Sequence, residues 1–268
     1  MRITPALAAL VLAVPAAAAD EVPFVVSPDS VTLAMLQAAR VGNEDYVIDL
    51  GSGDGRIVIL AAKRFGARGL GIEINPELVA KSRANARNAG VDSRVSFREQ
   101  DLFKTDLSPA SVVTLYLLPE VNMQLRPKLL HLRPGTRVVS HDFDMEDWEP
   151  DKTLTVDAPD KNIGLGKTSK VYLWIVPARI EGLWCGTGKA KDKSITLAQR
   201  HQKLRIDVPG GDAVKALEAR INGNVILTRT KVFNLAYDGQ KLRTTYAGGA
   251  MSSLKGATFV RAKGQSCG

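Results

Sequence analysis

The residues with the clearest chemical potential lie together in VIDLGSGDGR, residues 47–56. Tyr46, Val47 and Ile48 form an apolar run that ends in Asp49, and glycine then recurs at every second position, Gly51, Gly53 and Gly55, with Ser52 and Asp54 between. Glycine lets the backbone approach a ligand where a Cβ would clash. An apolar-periodic segment follows from Ile57 to Ala62. Buried strand, tight glycine turn and helix, in that order, open a nucleotide-binding βαβ unit.

Such a turn serves NAD, FAD and S-adenosylmethionine (SAM) alike, and the nearby acids decide among them. A pyrophosphate site gains from keeping negative charge away from the loop amides. Here Asp49 closes the strand and Asp54 sits inside the loop. SAM carries a sulfonium and an ammonium and no phosphate, so a carboxylate-lined cradle suits it. The second expected strand, 69–74, contains Glu73 at its end, placed to bridge two ribose hydroxyls. The third, 95–98, leads into Glu99-Gln100-Asp101-Leu102, where Asp101 is placed to accept from an adenine amino group. The fourth, 111–117, ends at Leu117, before Leu118-Pro119-Glu120. Acids at the ends of three successive strands point to SAM. The cofactor contacts expected are Asp49, Gly51, Ser52, Gly53, Asp54, Gly55, Glu73, Asp101, Leu102 and Leu117.

DLGSGDGR, GIEINPE, EQDLF and YLLPEVN resemble motifs one to four of a class I SAM-dependent methyltransferase. Ser27-Pro28, DLGSGDGRIVILAAK and RVVSHDFDMEDWEP narrow the resemblance to the family of the ATP synthase c-subunit lysine N-methyltransferase and its prokaryotic relatives. It covers about residues 23–178. It implies a Rossmann-like seven-stranded sheet and methyl transfer from SAM to an amine.

The elements that must position these residues follow in order. Residues 1–19 have a basic start (Arg2), an apolar stretch (6–14) and Ala17-Ala18-Ala19 before Asp20, the pattern of a cleaved signal peptide. An uncleaved membrane anchor is the other reading. Either implies an exported, periplasmic or envelope-associated protein. Residues 29–39 read as a helix capped by Ser27 or Asp29, which in the family lies over the cofactor and otherwise simply covers the sheet edge. From 45 to 178, strands and helices alternate as in a parallel sheet with helices on both faces. Two further runs, 153–156 and 170–176, have no long helix between them and predict an antiparallel hairpin completing seven strands.

Residues 180–268 change character. Pro209-Gly210-Gly211, Asn222-Gly223, Asp238-Gly239, Gly248-Gly249 and Lys255-Gly256 punctuate short alternating runs, predicting a meander of about six to eight antiparallel strands. Gly182-Leu183-Trp184 and Arg261 resemble lipocalin-like barrels, in which such a Trp and Arg pack across the closed end. The organisation expected is therefore 1–19 leader, 20–179 α/β methyltransferase domain and 180–268 small antiparallel β domain. Residues 181–268 hold 15 Lys and Arg against 6 Asp and Glu, a net of +9, while residues 1–180 hold 21 against 22. An anionic membrane or envelope surface is one reading of that charge, and an ordinarily charged strand exterior is the other. Nucleic acid fits poorly, because aromatics are few and the cations scattered. Cys185 and Cys267, at opposite ends of this region, make a disulfide pair in an exported chain. Neither they nor His131, His141 and His201 have metal-ligand spacing.

Methyl transfer is an in-line displacement, so the protein must chiefly align a nucleophile whose lone pair is free. The acceptor-side candidates follow strands four and five: Pro119, Glu120, Asn122, His141 and Asp142. Glu120 either orients an amine or begins a helix. His141 and Asp142 either form an acid/base pair or tie down a loop. The acidic run Asp142, Asp144, Glu146, Asp147 and Glu149 either rims a cationic substrate or faces solvent. A protein or small-molecule amine is the acceptor expected. The competing reading is an exported envelope binding protein that keeps the SAM fold as a scaffold, without catalysis.

Overall fold

The computed structural model describes residues 25–161, 166–210 and 213–267. The expected leader lies outside them. No helix among the described residues is long and apolar enough to cross a membrane.

Five parallel strands carry the first half of the chain: β1 (Tyr46–Leu50), β2 (Arg68–Glu73), β3 (Val95–Glu99), β4 (Val112–Leu115) and β5 (Arg137–His141). The hairpin β6 (Lys152–Asp157) and β7 (Thr168–Ile175) completes a sheet ordered β3-β2-β1-β4-β5-β7-β6, with β7 antiparallel to both neighbours. This is the seven-stranded sheet anticipated from the sequence. Side chains alternate between its faces. One face carries Val47, Val112 and Val139 against α1 (Asp29–Ala38), α2 (Arg56–Phe65) and α3 (Pro76–Asn88). The other carries Ile48, Val113 and Val138 against α4 (Pro119–Leu129), Trp148 and Trp174.

Helix boundaries follow local chemistry. Asn75 caps α3, its side chain accepting from Glu77 and Leu78 amides, with Pro76 in the first turn. Helix α2 ends on Gly66 in the left-handed conformation, with Lys63 and Arg64 in its last turn. Helix α1 departs from expectation. Pro28 is its N-cap and no side chain caps it. Ser27 instead spends its hydroxyl on His141, a buried partner 114 residues away that no local rule reveals.

The second half is a closed antiparallel barrel of β8 (Gly182–Thr187), β9 (Ser194–Arg200), β10 (Lys203–Gly210), β11 (Ala213–Asn222), β12 (Val225–Thr228), β13 (Phe233–Tyr237), β14 (Lys241–Ala247) and β15 (Thr258–Arg261). Trp184, Ile206, Ile221, Phe233, Leu242 and Phe259 help fill its interior. The Arg261 guanidinium lies 4.8 Å over the Trp184 ring, and the indole N–H donates to the Ile180 carbonyl. That is the Trp–Arg packing the sequence suggested.

The barrel is fixed to one particular end of the sheet. Strand β7 finishes beside the start of β5, and the chain enters β8 a few residues later. The Ala178 amide donates to the Gly223 carbonyl, and a Cβ on Gly223 would lie 3.2 Å from Gly135 Cα, just before β5. The barrel therefore sits at the amino ends of the parallel strands. Part of the acidic run meets it there. Asp147 pairs with Arg126 of α4 and with Arg200, Glu149 pairs with Lys203, and Arg220 pairs with Asp151. The Arg200 hydrogen bond, helped by Arg126, holds the Asp147 carboxyl down at about 2. Asp147 and Glu149 are thus partners of the basic barrel, not a substrate rim.

Cys185 and Cys267 are disulfide-bonded, 82 residues apart. A loop of that length stabilises by about 4 kcal/mol on the chain-entropy account. Replacing both cysteines by serine should lower the unfolding free energy of the barrel by a comparable amount. Chemical denaturation followed by far-UV circular dichroism, extrapolated to water, measures it.

Candidate functional site

All five parallel strands point their carboxyl ends to one edge, and the glycine loop leaves β1 there. Gly51, Gly53 and Gly55 all have positive φ, at 73°, 52° and 83°. The left-handed turn needs glycine for that reason and for space: a Cβ on Gly51 would lie 2.8 Å from Leu117 Cδ2. The loop is tied to the next strand. Gly51 and Ser52 amides both donate to the Ile72 carbonyl, and the Gly53 amide donates to Glu73 Oε2 at 2.8 Å. Glu73 Oε1 accepts from the Ile74 and Asn75 amides. Asp101 caps a short 3-10 turn, Leu102–Lys104, accepting from the Phe103 amide at 2.8 Å. Leu102 is half-buried and Leu117 buried. Ile74, Phe103 and Leu118 stay exposed at the ends of β2, β3 and β4.

The electrostatics separate two of the acids. Asp49 is buried, and burial pushes its carboxyl up to about 7 against the opposing Thr114 hydrogen bond, with the charges of Glu73 and Asp54 adding to the rise. Burial also acts on Asp54, but hydrogen bonds from the Arg56 guanidinium overcome it and hold Asp54 below its usual value. Asp54 therefore neutralises Arg56, and among the described residues no cation pairs with Asp49.

On the acceptor side the structure joins residues from four segments. His141, fully buried at the end of β5, has Ser27 Oγ at 2.8 Å from Nδ1 and Ser169 Oγ at 2.9 Å from Nε2. Burial holds it down at about 4, with Asp142 opposing and Lys161 adding. A neutral imidazole with both nitrogens engaged ties the approach to α1 onto the sheet. Tyr116, just past β4, stacks on His141 at 3.9 Å between centroids, and Phe143 stacks on Tyr116 at 6.4 Å. Asp142 adopts φ 59°, a conformation that Asp tolerates better than most residues. Its carboxylate is held by Lys161 Nζ at 2.6 Å and the Lys170 amide at 2.8 Å. Pro119 and Glu120 are exposed in the first turn of α4. Asn122 is buried, its amide donating toward Ser140 and the Phe143 carbonyl.

A family profile described as the ANTKMT methyltransferase domain matches residues 49–152. The protein-lysine N-methyltransferase of Saccharolobus islandicus (strain REY15A) is 43% identical over 157 residues, covering 58% of this chain and 94% of that protein. This chain belongs to that methyltransferase family. The mouse ATP synthase c-subunit lysine N-methyltransferase is 44% identical over 108 residues, which span 40% of this chain and 43% of the mouse protein. A solved structure described as an RNA methyltransferase from Salinibacter ruber, in complex with S-adenosyl-L-homocysteine, is 54% identical, with a TM-score of 0.53. It covers 58% of this chain and 96% of that one.

The methyltransferase uses SAM, and the donor set fits it. Asp49 is a buried acid awaiting a positive charge, the one loop arginine is neutralised by Asp54, and Ser52 Oγ is buried without a protein partner. Glu73 and Asp101 would hold the ribose and adenine, with Ile74, Phe103 and Leu102 offering apolar surface to the base. When bound, SAM supplies an electrophilic methyl group on a sulfonium. The protein's part is to align an acceptor whose lone pair is free with that methyl group. Tyr116, Phe143, Ser169 and Lys161 were not among the site residues expected from the sequence, and Ser27 was expected there only as a helix cap. Tyr116 had one signal, an aromatic directly after the fourth strand.

The raised Asp49 carboxyl carries a stability cost with a defined sign. The folded form holds the proton more tightly than the unfolded chain, so ionisation destabilises the apo-enzyme increasingly from about pH 4 to about pH 7 and then levels off. Asp49→Asn should therefore raise the melting temperature of the apo-enzyme at about pH 8, yet weaken SAM binding by about 1–3 kcal/mol. In the parent, affinity for SAM should fall as pH drops below about 7, and in the variant it should not. Calorimetric titrations across pH, paired with melting curves, check both halves.

Proposed function

We propose that this methyltransferase acts on the ε-amine of a protein lysine, in the envelope. The single observation that carries the acceptor is the match to the Saccharolobus protein-lysine N-methyltransferase over nearly all of that protein's length. The acceptor side supports it chemically. Tyr116 and Phe143 give the acceptor side an apolar surround that, once water is excluded, favours the neutral form of an amine. The amine lone pair then attacks the methyl carbon as the carbon–sulfur bond breaks, and the proton of the product ammonium passes to solvent. No side chain need act as the base. His141 is committed to two serines, so its part in this reading is to hold the Tyr116 ring.

The envelope location rests on the leader pattern of residues 1–19 and agrees with the Cys185–Cys267 bridge, which persists in oxidising compartments. The barrel is read as the element that brings the enzyme to an anionic surface. A second reading, an RNA acceptor, is favoured by the description of the Salinibacter structure alone.

Radiolabelled SAM separates the two. The purified enzyme should label a protein fraction of its own envelope, with methyl-lysine recovered by mass spectrometry. Tyr116→Ala should reduce that labelling at least tenfold while leaving SAM affinity within about twofold. Ribonuclease-sensitive label with no methyl-lysine would replace the lysine reading by the RNA one.

A further inference from the structure

Apart from Val26 before α1, the exposed large hydrophobic side chains of the described residues fall in two places that chemistry separates. Ile74, Phe103 and Leu118 rim the cofactor end of the sheet, whereas Val225, Leu227 and Tyr246 lie on the barrel. Strand register brings the barrel three together. Across β11, β12, β13 and β14, one outward row reads Asn222, Val225, Ala236 and Arg243. The next reads Arg220, Leu227, Asn234 and Tyr246. The inward neighbours Ile226, Leu235 and Leu242 are fully buried, so this outward placement follows from strand alternation.

Cations surround these rows. Lys231 follows β12, Lys241 opens β14, and among the described residues neither has an ion-pair partner. Arg229 pairs with Glu218 and Arg243 with Asp238, all four being exposed. Exposed pairs of this kind contribute little in water and exchange readily for another anion. The cations that hold the barrel to the acidic loop are Arg200 of β9, Lys203 of β10 and Arg220 of β11, so the second row begins at the junction with the sheet. Strands β9 and β10 lie across the closed barrel from β13 and β14, so Arg200 and Lys203 serve a different face from Lys241 and Arg243.

We propose that the outer face of β12–β14 docks on the surface of an anionic phospholipid bilayer. The proposal rests on the reading of the barrel as the element that meets an anionic surface. Two aliphatic side chains and a tyrosine, set among lysines and arginines without a groove, match the boundary of acyl chain and headgroup phosphate. The barrel adheres by this face and does not span. Because the barrel joins the sheet at the amino ends of its strands, the cofactor edge stays clear of the docked face.

Co-sedimentation of the full chain tests this, with vesicles of phosphatidylcholine alone or mixed with phosphatidylglycerol, over a range of salt. The parent should partition to the anionic vesicles, less so as salt rises. Leu227→Ser with Tyr246→Ser should cut partitioning about tenfold at every salt concentration. Lys231→Gln with Lys241→Gln should cut it about fivefold per charge at low salt and little at high salt. Both double variants should keep the parent's melting temperature and affinity for S-adenosylhomocysteine. If the parent binds anionic vesicles and the Leu227/Tyr246 variant binds equally well, the face is wrong though the anionic-surface reading stands. If the parent binds neither vesicle, both fail. A concentration-dependent dimer, lost in the Leu227/Tyr246 variant and accompanied by no vesicle binding, would make the face a self-association surface and overturn the proposal.

Discussion

Asp49 is buried near the carboxyl end of β1 with a hydroxyl group, not a cation, as its hydrogen-bond partner. Much of the first half of the molecule is arranged around that uncompensated acid. Thr114 comes from the neighbouring strand, so the pair forms only when β1 and β4 are in register. Glu73 reaches back from β2 to hold the glycine loop beside it. Asp54, which would otherwise add a second free negative charge, is satisfied by Arg56. The result is a pocket edge whose net preference is for positive charge, kept rigid by backbone hydrogen bonds before any ligand arrives. This organisation favours a cofactor carrying a sulfonium and an ammonium and disfavours one carrying phosphates.

The acceptor side follows a different logic. Here the ionisable groups are compensated within the protein. His141 lies between two serines, and Asp142 is held by a lysine and a backbone amide. Such committed groups are poor acids and bases but good struts. They fix Tyr116 and Phe143 at the ends of β4 and β5, beside the edge to which the glycine loop belongs. Alignment, not proton transfer, is what an in-line displacement on a good leaving group requires. The two halves of the site thus divide the work between charge and shape.

The barrel changes how the molecule is read as a whole. Its attachment through Gly223, Arg200, Lys203 and Arg220 lies at the far end of the sheet from the glycine loop. It is not a lid over the reaction. An acidic loop following β5 engages part of its positive charge, and the rest remains on other faces. A close approach of Gly135 and Gly223 at this junction leaves no room for a Cβ to pass without adjustment, so the two units meet as packed surfaces and not as beads on a tether.

How much of this was legible in the sequence depended on the range of the interaction. The glycine loop, the acids at three strand ends, the terminal hairpin and the antiparallel meander are written in local patterns. Alternation, turn chemistry and spacing act over a few residues, and they determined the fold class and the cofactor, while the Cys185–Cys267 pairing followed from there being two cysteines in a chain read as exported. Tertiary structure alone decided the rest. It turned Ser27 from a helix cap into a ligand of His141, because a hydroxyl meets whichever buried partner the fold delivers. It gave Asp147 and Glu149 to the barrel, since an acidic run reads the same whether it faces solvent or arginine. It stacked Tyr116 on a histidine from the adjacent strand, and it set Leu227 and Tyr246 in one outward row, on either side of Asn234, which only strand register does. Short-range preference is carried by each residue's own chemistry, whereas the identity of a partner far along the chain exists only once the chain has closed on itself.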